Sequence, residues 1–216
     1  MMPVTITPSE GLSLSMIASL ALFALVSSIT PGPNNLMLAS SGLNFGVRRT
    51  VPHIFGISTG VSAMLILVGL GLSSVFQTWP VLYTVLKYAG GAYLLYLAWC
   101  IGTAGPVGMG EARGKPFTFL QAAAFQWINP KAWIMSIGIV ATYTPQNGFY
   151  VNLLVAALVC MLVNLPSITL WAAFGSALSR VLRAPSAVRA FNVSMALLLV
   201  ASLYPLAHEL LMPWIS

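Results

Sequence analysis

The sequence predicts an all-α integral membrane protein. Six transmembrane helices are expected as two inverted three-helix repeats, with helices 1 and 4 broken by proline. Three observations carry this. Of the 216 residues, 58% are hydrophobic and 6% charged, where a soluble domain has about a quarter charged, and the mean hydropathy is +0.91. The apolar residues fall in runs long enough to cross ~30 Å of hydrocarbon. Two of those runs, the first in each half of the chain, are interrupted at matched places: Ser28-Ile29-Thr30-Pro31-Gly32-Pro33-Asn34-Asn35 and Gln126-Trp127-Ile128-Asn129-Pro130-Lys131-Ala132.

The first run extends from Leu12 to Phe45. As one straight helix it would be ~50 Å long, too long for the bilayer, so it must bend or break. Pro31 and Pro33 each remove an N–H and clash with the preceding turn, with Gly32 permissive between them. A short basic loop with Arg48 and Arg49 follows, then a second span from Ile54 to Phe76. In that span Gly56 and Gly60 have the small-xxx-small spacing that lets helices approach closely in lipid. Trp79-Pro80 marks a turn, and the third span, carrying Lys87 and Gly90-Gly91, runs to Ile101. The glycine-rich stretch 103–116 reads as a linker, which leaves one transmembrane domain over 1–216, with repeat one about 11–102 and repeat two about 117–213. The fourth span is Phe117 to Tyr143 with its Asn-Pro-Lys break; Pro145-Gln146-Asn147-Gly148 is a turn. The fifth, Phe149 to Leu178, is interrupted at Asn164-Leu165-Pro166, and the sixth runs from Val188 to Met212 near an interfacial Trp214.

Charge then fixes orientation. The net charge is +6, but the basic residues Arg48, Arg49, Arg113, Lys115, Arg180, Arg183 and Arg189 sit in loops on one side. That is a topology signal and not a phosphate-binding face, so nucleic acid is not a partner. The lipid bilayer is one, and both termini are placed outside the cytoplasm. A three-span unit repeated once enters the membrane from opposite sides, which makes the duplication an inverted repeat of the kind secondary transporters use. The acidic residues are Glu10, Glu111 and Glu209, with no Asp. Cys100 and Cys160 give neither CxxC spacing nor a disulfide framework. Met1 to Leu14 has no Lys or Arg, so the first run is expected to stay in the membrane.

The chemistry gathers at the breaks. Each leaves the following half-helix with unpaired N–H groups and a positive dipole end near mid-membrane, a field suited to a carboxylate. The alternative is that both are packing kinks, since membrane helices tolerate proline. Lys131 is the most informative residue, because a lysine at the bilayer centre costs ~3 kcal/mol and has no acidic partner in a neighbouring run. A substrate anion would balance it; a snorkelling or deprotonated lysine is the alternative. The expected substrate-binding residues are Thr30, Pro31, Gly32, Pro33, Asn34, Asn129, Pro130, Lys131 and Asn164. Gln126, Asn192, Tyr88 and Tyr93 read as interhelical hydrogen-bond partners, and His53, at the start of the second span, is of the residue type that can titrate near physiological pH. No catalytic set, metal site or cofactor is expected, so the protein is not read as an enzyme.

Together these residues resemble the LysE/RhtB family of amino-acid exporters of bacterial inner membranes. The likeness rests on Thr30-Pro31-Gly32-Pro33-Asn34, on Gly42, Gly46, Gly56 and Gly60, on Lys87 to Leu94 with Tyr96-Leu97, and on Phe125 to Ala132. It implies export of amino acids or close derivatives, driven by the proton gradient, and a homodimer is compatible with it. Many relatives carry an acidic residue directly after Pro-Gly-Pro where this chain has Asn34. Without that acid, neutral substrates of the homoserine, threonine or branched-chain type are favoured over lysine or arginine, and no fixed proton carrier stands out. Two rival readings are a thiol/disulfide electron carrier of the same superfamily, working through Cys100 and Cys160, and a metal-ion exporter. The first lacks cysteines at the breaks, and the second lacks carboxylates and thiolates.

Overall fold

A computed structural model describes residues 12–103, 115–182, 184–204 and 207–208. Glu10, Glu111, Glu209, Arg113, Arg183, Trp214 and most of the linker read over 103–116 lie outside the described residues. Among the described residues the chain is all-helical. Helix α1 spans Leu14–Ile29, α2 Pro33–Leu67, α3 Ser73–Thr78 and α4 Pro80–Gly102. Then come α5 Phe119–Phe125, α6 Pro130–Tyr143, α7 Phe149–Val181 and α8 Pro185–Ala201.

Local chemistry sets the boundaries. Ser13 caps α1 by accepting from the Met16 N–H at 3.3 Å. The helix stops at Thr30, which is extended as a residue before proline should be. Pro33 restarts the chain at the first position of α2, where a missing N–H costs nothing. Thr118 and Gln121 form a capping box at the start of α5. A single 3-10 turn, Gln126–Ile128, follows before Asn129 caps α6 and Pro130 opens it.

Several expectations are corrected. The basic loop at Arg48 and Arg49 is helical; the corner is made by Gly46 alone, at φ 78, where a side chain would be strained. The second span does not run straight to Phe76. It ends in a π-helical turn, Val68–Leu72, in which Gly71 stands at φ 103, and α3 follows. Asn164-Leu165-Pro166 does not interrupt the fifth span. Helix α7 runs through Pro166, and the Ser167 and Thr169 hydroxyls bond the Val163 and Leu165 carbonyls at 2.7 and 2.6 Å in the distorted turn. The sixth span begins at Pro185; the fourth is broken as expected, into α5 and α6 with a turn between them.

Helix α7 lies antiparallel to α2 along its length: Ala39 meets Gly175, Gly42 meets Ala172, Ser58 bonds Asn164, and Gly69 meets Leu153. A Cβ on Gly42 or Gly175 would collide with the backbone carbonyl of Ala172 or Ala39, so only glycine permits this approach. Gly56 and Gly60 serve the expected packing role, against Phe119, Ala122 and Ala123 of α5. Helix α1 packs on α7, α5 on α2, and α4 on α8. One buried cluster joins α1, α2, α5, α6 and α7; a second joins the start of α2 with α4, α5 and α8. The stretches 33–72, 80–102 and 149–181 are long and apolar enough to cross a membrane, with Leu14–Ile29 and Pro185–Ala201 as shorter apolar helices. Leu22, Trp99, Ile134, Leu154, Leu162 and Leu170 point outward. That would be a liability in water and is what lipid requires.

Candidate functional site

In hydrocarbon the carbonyls freed at a break must find partners inside the protein, and at the end of α1 they all do. Thr30 donates to the Val26 carbonyl through its N–H at 3.1 Å and its hydroxyl at 2.7 Å, with the Ser27 carbonyl 3.1 Å from that hydroxyl. Asn35 Nδ2 reaches back to the Ser28 and Thr30 carbonyls, both at 2.8 Å. The Trp171 indole of α7 donates to the Ile29 carbonyl at 3.1 Å. Lys131 Nζ donates to the Thr30 carbonyl at 2.8 Å and its hydroxyl at 3.1 Å.

The second break is closed largely by its own residues. Gln126 Nε2 bonds the Ala122 carbonyl at 2.9 Å, and the Asn129 N–H bonds the Gln126 carbonyl at 3.1 Å. The Trp133 indole donates to the Trp127 carbonyl at 2.8 Å. Asn129 Oδ1 accepts from the Lys131 N–H at 3.2 Å, and its amide donates to Gln126 Oε1 at 3.2 Å.

The two breaks also exchange partners. Asn34, second residue of α2, makes a reciprocal amide pair with Gln126, the C-cap of α5, at 2.9 and 3.1 Å. Lys131, second residue of α6, bonds Thr30, the C-cap of α1. Each restarting helix therefore grips the end of the half-helix that precedes the other break. Aligned on their helix starts, Gly32 corresponds to Asn129.

Between them lies a small cavity of about 30 Å³ lined by Ser27, Ser28, Gly32, Asn34, Asn35, Asn129, Lys131 and Asn164, with Val61, Ala132, Met135 and Ile168 as its apolar wall. Asn164 joins it through hydrogen bonds with Ser28 at 2.9 Å and Ser58 at 2.7 Å. The structure brings Gly32, Asn34, Asn129, Lys131 and Asn164 onto this one surface, with Thr30 held against Lys131. Pro31, Pro33 and Pro130 line an adjoining groove of about 560 Å³, whose wall also takes in Lys131 and Lys87.

Gly32 has no side chain to cap α2, so the first amides of that helix meet the cavity without a side-chain acceptor. The ammonium of Lys131 rests on the negative end of α1, which answers part of its charge with a dipole. No carboxylate side chain occurs among the described residues, because Glu10, Glu111 and Glu209 all fall outside them. Sequence reasoning placed Gln126 among interhelical partners, as it proves to be. It missed Ser27, Ser28 and Trp171, which carry no signal of their own, and it did not see that Lys131 would grip Thr30. Cys160 is buried in the main core, and Cys100 is exposed on α4; both are free thiols.

The chain has relatives of known description. A cysteine/O-acetylserine efflux protein of Salmonella typhimurium (strain LT2) is 30% identical over 180 residues, 82% of this chain and 90% of its own length. The protein of the same description from Escherichia coli (strain K12) is 29% identical over 180 residues, with the same coverage. No solved structure matches. The LysE type translocator family matches over residues 25–208, a stretch that contains both breaks and every lining residue of the cavity between them, and the chain belongs to that family.

Proposed function

We propose that this chain is a secondary transporter that exports small neutral amino acids or close derivatives across the bacterial inner membrane, driven by the proton gradient. The observation that carries the reading is the cavity between two exchanged helix breaks, with a lysine that no carboxylate of the described residues answers. A zwitterion suits it. Its carboxylate is held between Lys131 and the uncapped start of α2, and its ammonium turns to the oxygens of Ser27, Ser28 and Asn164. Without an acidic side chain there, lysine and arginine are disfavoured. The cysteine and O-acetylserine named for the relatives are neutral with short polar side chains, and on that analogy we favour homoserine and threonine over branched-chain residues.

The same exchange supports a six-span inverted repeat in one transmembrane domain. Helix α1 packs on α7 while α5 packs on α2, and α4 packs on α8, the third span of each unit on the other. The arginines at Arg48, Arg49, Arg180 and Arg189 would then face the cytoplasm and both termini would face away from it.

The test is export from cells overloaded with dipeptides of cysteine, serine or threonine, paired with ligand binding in detergent. Wild type should clear the freed amino acid. Lys131→Met should fold, since Asn35 still bonds the Thr30 carbonyl. It should bind about tenfold to a hundredfold more weakly, the worth of one charge-assisted contact of ~1.5–3 kcal/mol. Lys131→Arg should fall between, because a guanidinium fork does not replace a point charge. Undiminished affinity in folded Lys131→Met protein would remove the carboxylate anchor.

A further inference from the structure

A second cavity of about 100 Å³ lies toward the Gly46 corner and shares no lining residue with the first. Ser40, Ser41, Asn44 and His53 supply its polar wall, with Cys100 and Lys115 on the same surface. Most of these polar groups are already engaged. Ser40 and Asn44 bond Asn192 of α8 at 3.3 and 3.0 Å, and Ser41 bonds Thr50 across the corner at 2.8 Å. His53 is the exception. It is 1% exposed and stacked on Phe117 at 5.0 Å, and neither ring nitrogen has a hydrogen-bond partner among the described residues. Packing alone would be served by phenylalanine or leucine, which carry no buried polar atoms to leave unsatisfied.

Histidine is also the side chain whose ordinary titration falls between pH 5 and 8. The charged or titratable groups on the elements around it are Lys115 and Cys100 on the cavity wall, Arg48 and Arg49 earlier on its own helix, Tyr93 and Tyr96 on α4, Arg180 on α7 and Arg189 on α8. None of these is a carboxylate, so an imidazolium enclosed here is a buried charge without a counter-ion among the described residues. It is therefore poised to give up its proton once water enters the cavity to receive it. Five residues along the same helix, or ~8 Å, Ser58 bonds Asn164 at the first cavity. A change at one cavity therefore has a short rigid path to the other.

We propose that His53 is the proton carrier of the transport cycle, a step that rests on the export reading above. One ring nitrogen takes a proton derived from the side away from the arginine-rich corner. It releases that proton to water in the second cavity when this cavity opens, as one zwitterion moves the opposite way. One proton crosses per substrate and no bond other than N–H is made or broken.

The test uses the full chain in liposomes, with radiolabelled cysteine as the probe and His53→Gln as the variant. An imposed gradient of one pH unit should drive about tenfold accumulation in wild type, since one proton over one pH unit carries the free energy of a factor of ten. His53→Gln should keep counterflow at equal pH and lose the pH-driven accumulation. Accumulation equal to wild type would overturn the proton assignment alone, whereas absent counterflow in wild type would overturn the export reading and this step with it. If His53→Gln also loses counterflow, the arbiter is His53→Asn in weakly buffered detergent, where substrate addition is followed by a pH dye. Proton exchange like wild type's overturns the proposal, and its loss supports it.

Discussion

The two helix breaks have the same task and do it differently. Both restart on a proline at the first helical position. At the second, the caps come from within: the Asn129 side chain, the Asn129 N–H, the Gln126 amide and the Trp133 indole all lie within eleven residues of Ala122. At the first, only Thr30 and Asn35 are local. The Ile29 carbonyl depends on Trp171 of α7 and the Thr30 carbonyl shares Lys131 of α6, while Gly32 contributes no cap at all. The second break is thus a fixture that its own sequence specifies. The first is assembled by its neighbours, so a movement of α6 or α7 alters how α1 ends. It is also where a bound carboxylate would compete with the Thr30 carbonyl for Lys131.

The largest effect is expected where both breaks depend on one side chain. Gln126 is fully buried and bonds Asn34 in both directions, the Ala122 carbonyl and Asn129. Gln126→Leu keeps the volume and leaves those groups orphaned, at ~1–3 kcal/mol each. Thermal unfolding in detergent should fall by more than about 10 °C. A shift of a degree or two would mean that the amide pair contributes little and that the breaks are held by backbone packing alone.

Asn35→Ala against Asn129→Ala separates the imported break from the self-capped one. Asn35 is the partner of the Ser28 carbonyl and one of two on Thr30, so its loss should cost ~1–3 kcal/mol. Asn129→Ala removes a helix cap, usually worth ~1 kcal/mol, and one 3.2 Å bond. Denaturation in one detergent should rank Asn35→Ala as the more damaging, and the reverse order would overturn the distinction drawn between the breaks.

Position in the chain explains which of these features were legible in the sequence. Pro31, Pro33 and Pro130 announce a stop and a restart through a missing N–H, which is a local fact, and the helices do restart at Pro33 and Pro130. Gly56 and Gly60 carry their packing role in their spacing. Pro166 misled because a long membrane helix can tolerate one missing N–H when the bonds on either side hold, and α7 runs straight through it. Arg48 and Arg49 suggested a loop, whereas one left-handed glycine turns the corner and lets them stay helical. The grips of Asn34 on Gln126 and of Lys131 on Thr30 join residues 92 and 101 positions apart. Nothing in either stretch names the other, so only the folded chain reveals the exchange.

The smallest expected effect on stability, and the finest probe of the imported break, is Gly32→Ala. The backbone there is extended, at φ −174 and ψ 176, so an alanine fits without strain. Its Cβ would stand 3.0 Å from Lys131 Cδ and 3.3 Å from Nζ. A lysine side chain can yield by the few tenths of an ångström required, and unfolding should change by no more than ~0.5 kcal/mol. In yielding, the ammonium leaves the place that serves both Thr30 and the cavity, so ligand affinity should drop by about threefold to tenfold, less than for Lys131→Met. The double variant decides how the loss arises. If Gly32 acts by leaving room for Lys131, Gly32→Ala should cost nothing further once Lys131 is Met, giving a coupling as large as the single effect. Additive losses would instead mean that the ligand approaches the Gly32 backbone itself, and the carboxylate would then belong nearer the start of α2 than to the lysine.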